Sequence, residues 1–302
     1  MRKARITKVL TDKRGRHIGY NIALEGETEI KYIEKSALYR SSIEITNGTR
    51  RQEDNIKVND YVPRERKSSS EIRSRVVELV DKGNKNDNKV YVLHGSDGGI
   101  QGEIDCKRSN GTTDFGDGFY LGELLKQAET RASQGIQPMV YCYELDLSKV
   151  SVYKLEDGIE WLLFTGYCRG YLKDKIKKYP KIHKKFKEIL KYDVIYGRIA
   201  DDRMTATLTQ FLQGLISDRA TLYSITAVRY GNQYAIKNNS AVKKCMRLMY
   251  MYELDGKDLT SARKQDINYR QDIKRKVENC IRTYNKSGHL IDECLKEYND
   301  RL

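Results

Sequence analysis

No stretch of this 302-residue chain comes near 18 consecutive apolar residues, so a membrane-spanning helix is excluded. Cysteine is sparse: Cys106, Cys142, Cys168, Cys245, Cys280 and Cys294 are scattered with no C-x-x-C pair among them. Four histidines, His17, His94, His183 and His289, are equally dispersed, so no zinc-ligand spacing forms and no metal is expected. The thiols read as those of a reducing compartment. Cys142 and Cys168 lie in apolar surroundings and read as structural groups rather than nucleophiles. No Ser-His-Asp spacing is evident, and the glycine cluster between Gly95 and Gly102 lacks the Gly-Lys-Ser/Thr ending of a phosphate loop. The opening Met-Arg-Lys-Ala-Arg-Ile-Thr-Lys has no apolar run behind it, so no secretory signal is expected. The expected location is the cytoplasm, or a target cell reached through a dedicated export system.

What the chain does carry is tyrosine and positive charge. Its 22 tyrosines and 39% hydrophobic residues are material for folded cores rather than for a disordered chain. Lysine and arginine number 56 against 42 acidic residues, a net +14. The excess has a centre: residues 173–191 hold nine lysines against Asp174 and Glu188, a net +7, while the rest of 89–240 is slightly acidic. Such a field favours nucleic acid or an acidic protein surface without choosing between them.

Four regions follow from the pattern. Residues 1–62 read as a small β-rich accessory domain, with strands near 5–10, 18–23 and 29–33 joined through Asp12–Gly15 and Glu25–Glu27. Residues 63–88 read as a linker around Pro63 followed by a helix over 71–82, where Ile72, Val76, Leu79 and Val80 repeat at helical spacing. Residues 89–240 alternate strand and helix. Strands are expected at 90–93, 139–147, 192–196 and 234–236. Helices are expected at 123–134, 204–215 and 219–225, and over 172–190 with a break at Pro180. From 241 to 302 the spacing predicts a helical extension, with helices over 242–254, 261–284 and 290–298.

Two short motifs can carry chemistry. Val90-Tyr-Val-Leu-His94-Gly95-Ser96 runs a strand into a histidine, whose ring can meet a ligand, and a glycine, which permits close backbone approach. A histidine there also serves as a capping or packing residue. Asp114-Phe115-Gly116-Asp117-Gly118-Phe119-Tyr120-Leu121 describes a tight turn entering a strand. It either holds an aromatic face against a flat ligand or simply feeds a hydrophobic strand. It is not a dinucleotide fingerprint, because Gly116-x-Gly118 is followed by x-x-Leu121.

Taken in order, His-Gly-Ser and then Phe-Gly-x-Gly-Phe-Tyr resemble the ADP-ribosyltransferase superfamily, in its diphtheria-toxin and poly-ADP-ribose-polymerase branch. Tyr192–Met204, the following helix and Asn232-Gln233-Tyr234 resemble a bacterial family of that superfamily. The resemblance covers roughly residues 89–245 and implies an α/β (α+β) split-sheet fold. It also implies a mono-ADP-ribosyltransferase, of toxin or effector type, that uses NAD⁺ as substrate on a macromolecular acceptor, protein or nucleic acid. His94 would bond the nicotinamide ribose, the Gly95 backbone would hold the nicotinamide amide, and Ser96 would sit on the ribose side. Tyr120 would pack on the nicotinamide ring, with Phe119 turned to the other face of the strand. Phe115, Gly116 and Gly118 would line the same site. The pattern's third position is a glutamate, and here Gln233 stands in its place, expected to face the same cleft as His94. An amide bonds but supplies no negative charge, which fits transfer of a single ADP-ribose. An inactive NAD⁺- or nucleic-acid-binding module and a plain NAD⁺ glycohydrolase remain open alternatives. Asp201 and Asp202 divide between capping the helix that begins near Met204 and a ligand role. The segment 173–191, with Tyr167, Tyr171 and Tyr179 nearby, reads as a solvated helix face or as a track for an acidic acceptor.

Overall fold

The computed structural model describes residues 2–11, 17–24, 30–34, 43–45, 69–83, 88–100, 102–108, 113–135, 137–200, 202–227 and 231–302. The turns expected at 12–15 and 25–27, the linker at 63–68 and Asp201 lie outside them. The N-terminal strands are β1 (Arg2–Thr11), β2 (His17–Leu24), β3 (Ile30–Glu34) and β4 (Ile43–Ile45). They form a sheet of order β3-β2-β1-β4, with β4 parallel to β1 and the other pairs antiparallel.

Helix α1 (Ser69–Gly83) precedes a mixed α+β assembly on a seven-stranded sheet. Its strands are β5 (Lys89–Ser96), β6 (Phe119–Gly122), β7 (Met139–Asp146), β8 (Val152–Lys154), β9 (Val194–Arg198), β10 (Asn232–Ile236) and β11 (Met246–Glu253). The order is β11-β7-β5-β6-β10-β9-β8, antiparallel except for β8 on β9. Five residues, 147–151, link β7 to β8, and Leu147–Lys149 among them form a 3₁₀ turn. That link reaches about 16 Å, whereas five strand spacings in a flat sheet need about 24 Å. The sheet therefore curls. Its inner face buries Val92, Leu121, Tyr143, Leu145, Val194, Tyr234 and Ile236.

The outer face is covered by helices. On the β5–β7–β11 side, α1 and α2 (Leu125–Ala132) set Ile72, Val76, Ala128 and Ala132 against Leu93, Val140 and Cys142. On the other side lie α3 (Ile159–Cys168), α4 (Pro180–Ile189), α5 (Asp202–Leu212) and α6 (Asp218–Thr226). The run Trp161–Phe164 sits inside α3 and is buried all round. The lysine-rich segment breaks at Pro180 as expected, but only Pro180–Ile189 is α-helical; the helix expected before it is a turn followed by a 3₁₀ segment, Ile176–Lys178. Pro180 occupies the first helical position, where its missing N–H costs nothing. Ile182, Phe186 and Ile189 are buried, and Lys173, Lys178, Lys181, Lys184 and Lys187 are exposed.

The helix expected over 242–254 is a correction. Helix α7 (Asn239–Cys245) stops at Cys245, and Met246–Glu253 forms β11 on β7. A register shift between Leu248 and Tyr250 places an extra residue in the strand, which hides the period-two pattern. The sheet thus extends beyond residue 240. Helices α8 (Gly256–Tyr284) and α9 (Ile291–Arg301) follow, placing Ile273, Ile291, Leu295 and Tyr298 in the core shared with α3 to α6.

Candidate active site at a break in the sheet

Strand β5 pairs with β7 along its whole length, from Lys89↔Asp146 to Ser96↔Met139, but meets β6 in one register pair, Leu93↔Gly122. The three-stranded and four-stranded halves of the sheet part at this point. His94 bridges the break with its side chain: Nδ1 lies 2.8 Å from the Tyr120 carbonyl oxygen. A carbonyl only accepts, so Nδ1 carries the proton and donates, which leaves Nε2 with a lone pair. Burial lowers the His94 pKa and favours this neutral ring, partly offset by the bond to Tyr120. The ring is stacked on Phe119 at a centroid distance of 4.5 Å.

Gly95 is fixed by packing. A Cβ there would stand 1.9 Å from the Ala128 carbonyl oxygen, so only glycine lets α2 lie this close to β5. Ser96 ends the strand half-buried.

The turn that precedes β6 is held from several sides. Gly116 adopts φ +72°, a conformation that favours glycine. The Tyr120 hydroxyl accepts from the Phe115 N–H at 3.0 Å, donates to the Gly116 carbonyl at 2.6 Å and lies 3.0 Å from Thr113 Oγ1. The Lys237 ammonium donates to the carbonyls of Phe115 and Asp117, and burial lowers its pKa. Gly118 faces the Ile236 carbonyl, 3.1 Å from where a Cβ would stand. Phe115, expected to line a ligand, is instead fully buried beside Phe164 and Tyr120. Its place in the core follows from the turn, which folds the ring under α3.

The registers also divide the expected residues between faces. Tyr120 pairs with Ala235, and Gly122 pairs with both Gln233 and Leu93. Tyr120, Gln233 and Gly95 therefore project to the outer, helix-covered face, whereas His94 and Phe119 project inward. The alternation expected for Phe119 and Tyr120 is present, but with the faces exchanged: Phe119, not Tyr120, shares the face of His94 and stacks on its ring. The expectation that Gln233 shares a cleft with His94 is corrected by the register: the two side chains leave opposite faces, and only the break in the ladder gives access to both.

Gln233 is buried against an ion pair that no sequence motif indicated. Its Nε2 donates to Asp114 Oδ2 at 2.6 Å, and the Ala200 N–H donates to the same oxygen at 2.8 Å. Asp114 Oδ1 accepts from Arg169 Nε at 3.0 Å and Nη2 at 2.5 Å. Arg169 also donates to Thr205 Oγ1 and to the Ala200 carbonyl. Burial raises the Asp114 pKa, opposed by Arg169, the Ala200 N–H and the Gln233 amide. Gln127 Oε1, 3.9 Å from where a Gly122 Cβ would stand, is buried without a hydrogen-bond partner. Asp202 is the first residue of α5. Burial pushes the Cys142 and Cys168 thiols up to about 12, so neither is an activated nucleophile. Among the described residues no cluster of three or more His, Cys, Asp or Glu could hold a metal, and no helix is long and apolar enough to cross a membrane.

Residues 90–248, just over half of the chain, match the family model described as "Protein of unknown function (DUF3990)", and the chain belongs to that family. The match runs from β5 into β11 and so spans nearly the whole seven-stranded sheet. No curated protein and no solved structure matches the chain.

Proposed function

We propose that this chain is a mono-ADP-ribosyltransferase that binds NAD⁺ at the break between β5 and β6. The observation that carries the reading is the end of the β5–β6 ladder at His94-Gly95-Ser96, with a neutral imidazole whose Nε2 keeps its lone pair. A sheet in two halves joined by one register pair is what a split-sheet transferase needs to admit a ligand between strands. In the reaction the bond from ribose C1′ to the nicotinamide nitrogen breaks, and its electron pair leaves with nicotinamide. An acceptor lone pair then bonds C1′, and the acceptor's proton passes to solvent. Nε2 of His94 accepts from a ribose hydroxyl, the Gly95 backbone meets the nicotinamide amide, and Tyr120 offers its ring from the outer face. The work lies in binding and orientation rather than in covalent catalysis.

The acceptor in this reading is an acidic macromolecule held by the lysine face of 173–191. Seven of its nine lysines are exposed, and Tyr171 and Tyr192 stand exposed at its two ends. Replacing Lys173, Lys181, Lys184 and Lys187 with glutamine should weaken macromolecular labelling and its salt dependence while NAD⁺ cleavage continues. A second reading, an NAD⁺-binding module without turnover, is favoured by the engagement of Gln233 with Asp114. Nicotinamide release separates the two. The transferase reading expects release by the wild-type protein and its loss in folded His94→Ala. NAD⁺ binding without release supports the module.

A further inference from the structure

The Asp114–Arg169 pair explains why position 233 holds an amide, and this inference rests on the transferase reading. Asp114 is buried, and each of its carboxylate oxygens meets donors: Arg169 Nε and Nη2 at Oδ1, the Ala200 N–H and Gln233 Nε2 at Oδ2. A carboxylate can only accept, so the NH₂ end of Gln233 is pinned to Oδ2 and its carbonyl Oε1 is directed away from it. A glutamate at 233 in the same pose would bring a carboxylate oxygen 2.6 Å from Oδ2. Two charged carboxylates at that separation cannot share the site. An amide N–H that donates to a carboxylate also places more negative charge on its own carbonyl oxygen, because hydrogen bonds in a chain polarise one another.

We propose that Asp114 is a positioning residue that stands in for the carboxylate otherwise expected at 233: it orients the Gln233 amide so that a polarised Oε1 meets, from the outer side of the break between β5 and β6, the ribose that His94 meets from the inner side. The charge of the site lies one hydrogen bond behind the amide, and Arg169 keeps it compatible with burial. The motif residue Asp114 and the departure at Gln233 are then one feature, a paired exchange of acid and amide across the fold.

The test is steady-state NAD⁺ cleavage, read as nicotinamide release, by the full-length wild-type protein, Gln233→Glu, Asp114→Asn and the double variant Asp114→Asn/Gln233→Glu, with thermal unfolding of each. The resemblance alone implies that Gln233→Glu should raise activity. The pairing implies the opposite: kcat should fall at least tenfold with KM changed less than threefold. The double variant, whose amide at 114 can donate to the introduced carboxylate, should recover at least fivefold over Gln233→Glu. A purely structural role for Asp114 would not produce that rescue. Should Gln233→Glu prove unfolded, a folded double variant supports the pairing, and two unfolded variants overturn it. Activity of Gln233→Glu at or above wild type, or a double variant no better than Gln233→Glu, also overturns it. Absence of NAD⁺ binding and cleavage by the wild-type protein is a different result: it removes the transferase reading and this inference with it.

Discussion

Tyr120→Phe separates two roles that the same side chain combines. The ring lies on the outer face of β6, while the hydroxyl buckles the 113–120 turn through the Phe115 N–H and the Gly116 carbonyl. Removing the oxygen leaves the Gly116 carbonyl with its second donor, the Thr113 hydroxyl at 2.6 Å. The Phe115 N–H has no such substitute, and an orphaned buried donor costs about 1–3 kcal/mol. With the lost bond to Gly116 only partly compensated, the expected destabilisation is about 2 kcal/mol. For a folded unit of this size that lowers Tm by roughly 4–8 °C. Urea and thermal unfolding followed by circular dichroism measure it, with Tyr171→Phe as an exposed control expected within about 0.5 kcal/mol of wild type. Because phenylalanine keeps the ring, NAD⁺ cleavage well below Tm should persist in Tyr120→Phe and be lost in Tyr120→Ala. A Tyr120→Phe protein as stable as wild type would refute the buckle, and loss of cleavage at full stability would move the hydroxyl into the chemistry.

Three further outcomes follow from the same geometry. Gly95→Ala drives a methyl into the Ala128 carbonyl and should cost about 3 kcal/mol, the upper range for overpacking, as read by urea unfolding; a shift under 1 kcal/mol would contradict the close approach of α2. Arg169→Met leaves the Asp114 carboxylate buried without its partner and should cost about 3–5 kcal/mol, with Asp114→Asn/Arg169→Met recovering part of the loss; additivity of the two single changes would contradict the coupling. His94 has a folded pKa below its unfolded value, so its contribution to stability is present above about pH 6.5 and falls as pH drops from there toward the folded pKa. In unfolding free energies measured from pH 7.5 to 5, the decline should be shallower in His94→Gln than in wild type, and equal slopes would contradict a buried neutral ring.

Helix α4 was legible from its apolar residues at helical spacing, whereas the same spacing before Pro180 belongs to a turn and a 3₁₀ segment that spacing alone does not distinguish from a helix. The strand into His94 and the glycine turn into Tyr120 were legible too, as local chemistry with local consequences. Strand β11 was not, since its pairing with β7 spans about a hundred residues and its bulge erases the alternation that marks a strand. Nor was the assignment of faces: His94 and Gln233 sit on strands whose relative register depends on Leu93↔Gly122 and Gly122↔Gln233, pairs no single segment encodes. Arg169 and Lys237 give no sequence signal at all. Each is a lone cation whose partners, Asp114 and the Phe115 and Asp117 carbonyls, lie 55 to 122 residues away.

The reaction proposed for the break beside His94 is cleavage of NAD⁺ with transfer of ADP-ribose. Its most direct test is incubation of the full-length protein with NAD⁺ labelled in the adenosine moiety, with and without cell lysate, following nicotinamide release and the destination of the label together. Nicotinamide release and label on protein or nucleic acid are expected in the presence of lysate, both lost in folded His94→Ala. Wild-type protein that neither releases nicotinamide nor labels any macromolecule would contradict it, as would label and release that survive His94→Ala unchanged.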